Sequence, residues 1–261
     1  MTTLVATIEG IGYWSRGLPS WDAALAFAND GTLPADAPPR PSPQLLAPNE
    51  RRRAPETVAV ALDVALAACV AAGRSPASLP SVFASTHGDL AITDYMCSTL
   101  TGDARAISPT RFHNSVHNAA AGYWTIGAGA MQAATAISAY DATFAQGLLE
   151  AMVQLATGNE AVLLVGYDGG STGPLTDISR SDGLLGAALV LSRAPAAGRT
   201  QLRVTLADGD AVAVEGALAR RDAGNAMAPM LALFDALAGG QAQAWLKSGP
   251  GRMLKVEIDH V

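Results

Sequence analysis

Cysteine and histidine are scarce in this chain: two and four among 261 residues. Two cysteines make neither a disulfide framework nor a metal site. Cys69 falls in the apolar helical run 58–70 and is expected to be buried packing. Cys97, after Tyr95 and Met96, has no base near it in sequence to lower its thiol pKa. Charged residues make up only 15% and the formal net charge is −6. That balance argues against nucleic acid as the main partner, which needs a basic face. The one basic cluster, Arg51-Arg52-Arg53, reads as a solvated helix corner. No basic region precedes an apolar run at the N-terminus, so no signal peptide is expected. No uninterrupted apolar stretch is long enough to span a bilayer, and a cytoplasmic location is expected. Gly166-Tyr167-Asp168-Gly169-Gly170 has neither the G-x-G-x-x-G pattern nor the Lys-Ser/Thr of a phosphate-binding loop, so a nucleotide site is excluded there.

What the chain has is apolar residues, at 49%. That suits a globular protein with a large core and one or two domains. Short apolar strands are expected at 4–8, 81–85, 132–137, 161–165, 184–191, 202–206 and 253–258. Helical spacing predicts helices at 21–29, 54–72, 90–100, 114–127, 139–157 and 225–238. Ser20 is a candidate N-cap and Gly73 a candidate stop. The proline-rich stretch 33–48 is expected to be an ordered surface loop. Strands alternating with helices, and strands apolar on both faces, point to an α/β sheet covered on both sides.

Several segments in order carry a resemblance. They are Gly10-Ile11-Gly12 with Trp21-Asp22-Ala23-Ala24-Leu25; Ser108-Pro109 through Asn118 with Ala121-Gly122; Thr135-Ala136-Ile137-Ser138-Ala139; and Asp182-Gly183-Leu184-Leu185-Gly186-Ala187-Ala188. Together they resemble a β-ketoacyl synthase. The resemblance implies the α/β thiolase-like fold, built from two similar halves in a five-layer sandwich. The first half is expected complete over 1–193. Residues 194–261 are expected to be a truncated β-α-β remnant of the second.

In that family a cysteine at the strand-to-helix turn attacks the acyl thioester, and the helix N-terminus helps to stabilise its thiolate. Ser138 stands at the matching position. A serine hydroxyl is a weak nucleophile without a base. Ser138 with Asp141 also approximates a capping box. His113 and His117 do not match the family's catalytic histidine pair. His87 follows a strand and reads as structural or exposed. His260, ending the strand 254–259, stands roughly where the family's first catalytic histidine does, and nothing supplies the second.

The pattern is similar to chain-length factors of type II polyketide systems and to the truncated subunits of aryl-polyene clusters. That likeness implies a non-catalytic subunit, a pseudoenzyme. It would pair with an active β-ketoacyl synthase and limit acyl or polyene chain length in fatty-acid- or polyketide-type biosynthesis. It would bind no cofactor itself, since acyl carrier protein phosphopantetheine thioesters would act through the partner. Phe112, His113 and Val116 are then expected at the dimer interface near the partner's tunnel, with Tyr95 and Met96 as further tunnel candidates. Ordinary packing is the alternative for each. Two other readings stay open: a Ser138-dependent acyltransferase or thioesterase with His87 or His260 as its base, and a homodimer that docks the carrier protein.

Overall fold

The computed structural model describes residues 3–210 and 216–260. Ten helices are labelled here: α1 (Trp21–Asp30), α2 (Pro48–Arg53), α3 (Glu56–Ala72), α4 (Leu90–Gly102), α5 (Pro109–His113), α6 (Ala119–Ala128), α7 (Thr143–Ala156), α8 (Leu175–Ile178), α9 (Ala217–Arg221) and α10 (Leu231–Ala238). The eight strands are β1 (Thr3–Ser15), β2 (Ser81–Ala84), β3 (Ala134–Ile137), β4 (Ala161–Asp168), β5 (Leu185–Ser192), β6 (Gln201–Asp208), β7 (Gln243–Gly249) and β8 (Arg252–Asp259). They form one sheet in the order β3-β2-β4-β5-β1-β6-β8-β7. β3, β2 and β4 run parallel, and the remaining pairings are antiparallel.

The burial of each strand follows its position. β4 and β5 are buried at every residue, because helices cover both faces of the sheet there. β6 and β8 alternate buried and open residues, as antiparallel strands do when one face meets solvent. α3 and α6 pack against one another on one face of the central strands, and α7 lies on the other. Gly10 and Gly12 let α3 approach β1. A Cβ on Gly12 would sit 2.0 Å from the Val64 carbonyl oxygen, and one on Gly10 2.2 Å from that of Ala68. No larger residue fits without moving the helix.

The far edge of the sheet curls back over α7. The Gln146 amide on α7 donates to the Ser248 carbonyl (2.6 Å) and hydroxyl (2.9 Å) on β7, and Lys247 on β7 pairs with Asp141 just before α7. α7 is thus held between the central strands and β7. The sheet is continuous across the boundary expected at 193/194: β6, β8 and β7 extend it from β1.

Several expected elements have different bounds. β1 runs seven residues past Ile8, because its second half pairs with β5. The helix expected from 114 starts at Ala119, and α5 precedes it with Ser108 as N-cap. The helix expected over 225–238 is a 3-10 turn (Ala228–Met230) leading into α10. β7, α2 and α9 were not anticipated. α2 and α9 have six and five residues, too few for a periodic signal. Among the described residues no helix is long and apolar enough to cross a membrane.

Candidate functional site: the turn between β3 and α7

The parallel strands β2 and β4 end side by side, and chemistry in such sheets gathers at these carboxyl ends. Asp168 ends β4 and is fully buried. Its carboxylate accepts from the Ser85 hydroxyl (2.7 Å), the Thr86 N–H (2.9 Å) and the His87 N–H (3.2 Å). Burial pushes its pKa up, and these three donors pull the other way. The Ser85 hydroxyl in turn accepts from the Gly88 N–H at 2.9 Å. The His117 Nε2 lies 2.7 Å from the Ser85 carbonyl oxygen. The 85–88 turn is therefore pinned from below by Asp168 and from one side by His117.

The strand-to-helix turn leans on the same loop. Ser138 is exposed and donates to the Thr86 carbonyl oxygen at 3.0 Å. A 3-10 turn, Tyr140–Ala142, comes before α7 starts at Thr143. Ser138 therefore does not cap α7, and the expected capping box is not formed. The Thr143 hydroxyl closes the turn instead: it accepts from the Ala139 N–H (3.0 Å) and donates to the Tyr140 carbonyl (2.5 Å).

Tyr140 is the residue that the sequence did not single out. Its φ is 54°, and it is the one non-glycine residue with positive φ among the described residues. A bulky residue there is strained by about 1–2 kcal/mol. Such strain persists only where the surroundings impose it, commonly at a functional turn. The residue is 69% exposed. The apex of the turn thus presents an aromatic ring, where a nucleophile elbow would present a reactive side chain.

The other sequence candidates divide. His113 is exposed and stacks edge-on against Tyr123 of α6, with ring centroids 6.1 Å apart. Phe112 and Val116 are exposed, at 62% and 51%. Through His117 their segment reaches the same 85–88 turn that Ser138 bonds. Tyr95 and Met96 are half-buried on α4. The Tyr95 hydroxyl donates to the Ala106 carbonyl (3.3 Å) and accepts from the Ser108 N–H (2.9 Å), and the Arg111 guanidinium lies 4.0 Å above its ring. These contacts make Tyr95 a clamp on the loop before α5.

His260 is not brought to Ser138. Its Nε2 lies 2.8 Å from the Gln241 carbonyl oxygen. β7 meets the turn through Lys247, which pairs with Met253 of β8, and His260 follows the opposite end of β8, roughly 20 Å along the strand at its usual rise. His87 is half-buried beside Asp168. Cys69 is buried, and burial pushes its thiol up to about 12, so it is inert packing. Cys97 is exposed on α4. Among the described residues no group of three or more His, Cys, Asp or Glu could hold a metal ion.

Next to this turn the sheet has an open edge. β3 pairs with β2 on one side and nothing on the other among the described residues. Met131 just before β3 is 95% exposed, and Ile126 of α6, which packs on β3, is 76% exposed. Residues 21–249 match the family of the β-ketoacyl synthase N-terminal domain, and the chain belongs to that family, with its thiolase-like fold. Among solved structures it is similar to a chain of "Ketosynthase (ApeO) in Complex with its Chain Length Factor (ApeC) from Xenorhabdus doucetiae" (TM-score 0.75, 23% identity, 97% of this chain and 99% of that chain). It is also similar to "The ishigamide ketosynthase/chain length factor" (TM-score 0.72, 14% identity, 99% of each). A β-ketoacyl synthase from Burkholderia phymatum STM815 follows with TM-score 0.59 and 17% identity, over 94% of this chain and 73% of that one. At these identities the likeness shows the fold alone. No curated protein matches the sequence.

Proposed function

We propose that this chain is a chain-length factor: a non-catalytic ketosynthase-like subunit that pairs with an active β-ketoacyl synthase. In that role it limits acyl or polyene chain length in fatty-acid- or polyketide-type biosynthesis. The observation that carries the reading is the turn before α7. Its strained apex holds Tyr140, and its serine hydroxyl donates to a backbone carbonyl and makes no hydrogen bond to a basic side chain among the described residues. A serine in that state cannot attack a thioester at a useful rate.

Two further observations support pairing. An open strand edge flanked by exposed Met131, Ile126 and Tyr140 is a surface that folded proteins ordinarily cover. Similarity over nearly the whole length of both chains is found with proteins from ketosynthase–chain length factor complexes. In this reading β3 and the segment Phe112–His117 face the partner ketosynthase, and Phe112 stands near its acyl tunnel. Carrier-protein thioesters would be bound and condensed by the partner, and the chain would hold no cofactor.

The test is co-expression with the ketosynthase encoded nearest to this gene, followed by sizing and product analysis. A one-to-one complex is expected, active only when both chains are present. Replacing Phe112 by Ala is expected to shift the product distribution toward longer chains, because packed tunnels have little slack for extra methylenes. Condensation by the purified chain alone would sink the proposal.

A further inference from the structure

A cavity of about 900 Å³ opens on the α3 side of the sheet, between the end of β1, the start of α3, the first turn of α4, α5 and the Gly169-Gly170 loop. Its rim is basic on an otherwise acidic chain. Arg16, Arg40, Arg53 and Arg111 line it, against two acids, Glu56 and Asp89. Arg40 is committed to Glu56 at 3.3 Å. Asp89 is committed to its own helix and to Thr57: it accepts from the Ile92 N–H at 2.9 Å and from the Thr57 hydroxyl at 2.7 Å. Among the described residues Arg16 and Arg53 have no side-chain partner. The Arg111 guanidinium carbon lies 4.0 Å from the centre of the Tyr95 ring, a contact with the ring face that does not consume its N–H donors.

The floor of the cavity carries a separate signal. Trp14 is 2% exposed and Asn114 4% exposed, and both line the cavity. The Trp14 Nε1 donor and the Asn114 Oδ1 acceptor have no hydrogen-bond partner within the protein. Buried polar atoms are almost always satisfied, and leaving one unpaired costs about 1–3 kcal/mol. A rim of unpaired guanidiniums over a floor with one unpaired donor and one unpaired acceptor is complementary to a small polar anion. The volume falls in the range of small-molecule sites.

We propose that this cavity binds a small organic anion, phosphorylated or carboxylated, that also offers one acceptor to Trp14 and one donor to Asn114. Planar guanidiniums pair with both oxyanion types through two parallel hydrogen bonds. The site does not depend on the chain-length reading and can be tested without a condensation assay.

The probes are pyrophosphate and citrate, titrated calorimetrically into the full chain at low salt, alone or in its co-purified complex. One saturable site is expected for at least one probe, weakened at least tenfold in the double variant Arg16→Ala/Arg53→Ala. Both side chains are exposed, so that variant should melt as the parent does. A second readout fixes the location. The chain has four tryptophans, and in a proton–nitrogen spectrum the indole signal of Trp14, identified with Trp14→Phe, should move on binding. Those of Trp21, Trp124 and Trp245 should stay. No saturable binding of either probe, undiminished binding by the double variant, or an unmoved Trp14 signal would each overturn the proposal.

Discussion

Tyr140 shows most clearly how one residue can matter without leaving a mark in the sequence. Its positive φ is imposed by the hydrogen bonds that Thr143 makes across the turn, and a tyrosine has no intrinsic preference for that backbone. A glycine there would have signalled the turn. Tyr140→Gly should be more stable than Tyr140→Ala by about 1 kcal/mol, because only glycine adopts that conformation freely. Urea unfolding of the two variants measures the difference, and equal midpoints would remove the strain from the account. Asp168 is the second such residue. Asp168→Asn should destabilise by about 1–3 kcal/mol, since an amide NH2 would face one of the donors that now meet a carboxylate. The loss should appear in the unfolding midpoint. Ser138 illustrates the opposite case. Its sequence context pointed to the right turn, but the apex lies two residues further on, and side-chain spacing alone cannot place an apex.

At the scale of elements, the apolar strands were legible. β4 and β5 are continuous runs of Val, Leu and Ala because helices cover both of their faces. β7 was not legible: its exposed Gln243 and Lys247 break the run, and only its pairing with β8 and contact with α7 define it. β3 is the element on which the pairing proposal rests. The carbonyls of Ala133, just before it, and of Ile137 at its end accept from the Ser81 and Ser85 N–H groups. By the alternation of a strand, the peptide groups of Ala134 and Ala136 therefore point to the open edge. Ala136→Pro removes an N–H that β2 does not use. It should leave the fold intact and abolish the complex with the ketosynthase, since proline at an edge blocks further strand pairing. Circular dichroism together with sizing checks both halves of that expectation. Retention of the complex would mean that the partner docks elsewhere.

For the whole molecule, buried carboxyls set the response to pH. Burial raises the pKa of Asp63, Asp168, Asp222 and Asp235. A group whose folded pKa lies above its unfolded one binds its proton more readily in the folded state. Stability from these four therefore falls as pH rises from about 3.8 through their raised values. Glu9 acts in the opposite sense: hydrogen bonds from Arg74 lower its pKa, and its contribution fades as pH falls below its unfolded value. Four carboxyls are raised and two, Glu9 and the exposed Asp30, are lowered, so the urea midpoint should rise as pH falls through the raised values, and Asp222→Asn should reduce that rise. A falling midpoint would contradict the assignment. The order in which the sheet closes has a consequence for synthesis. β1 (Thr3–Ser15) is made well before its two neighbours, β5 and β6, whose paired residues extend to Thr205. At ribosomal rates of 5–20 residues per second, this apolar strand waits roughly 10–40 s with both edges unpaired. Among the described strands, β1 waits longest for its neighbours, and the newborn strand is the one that most needs a chaperone's cover.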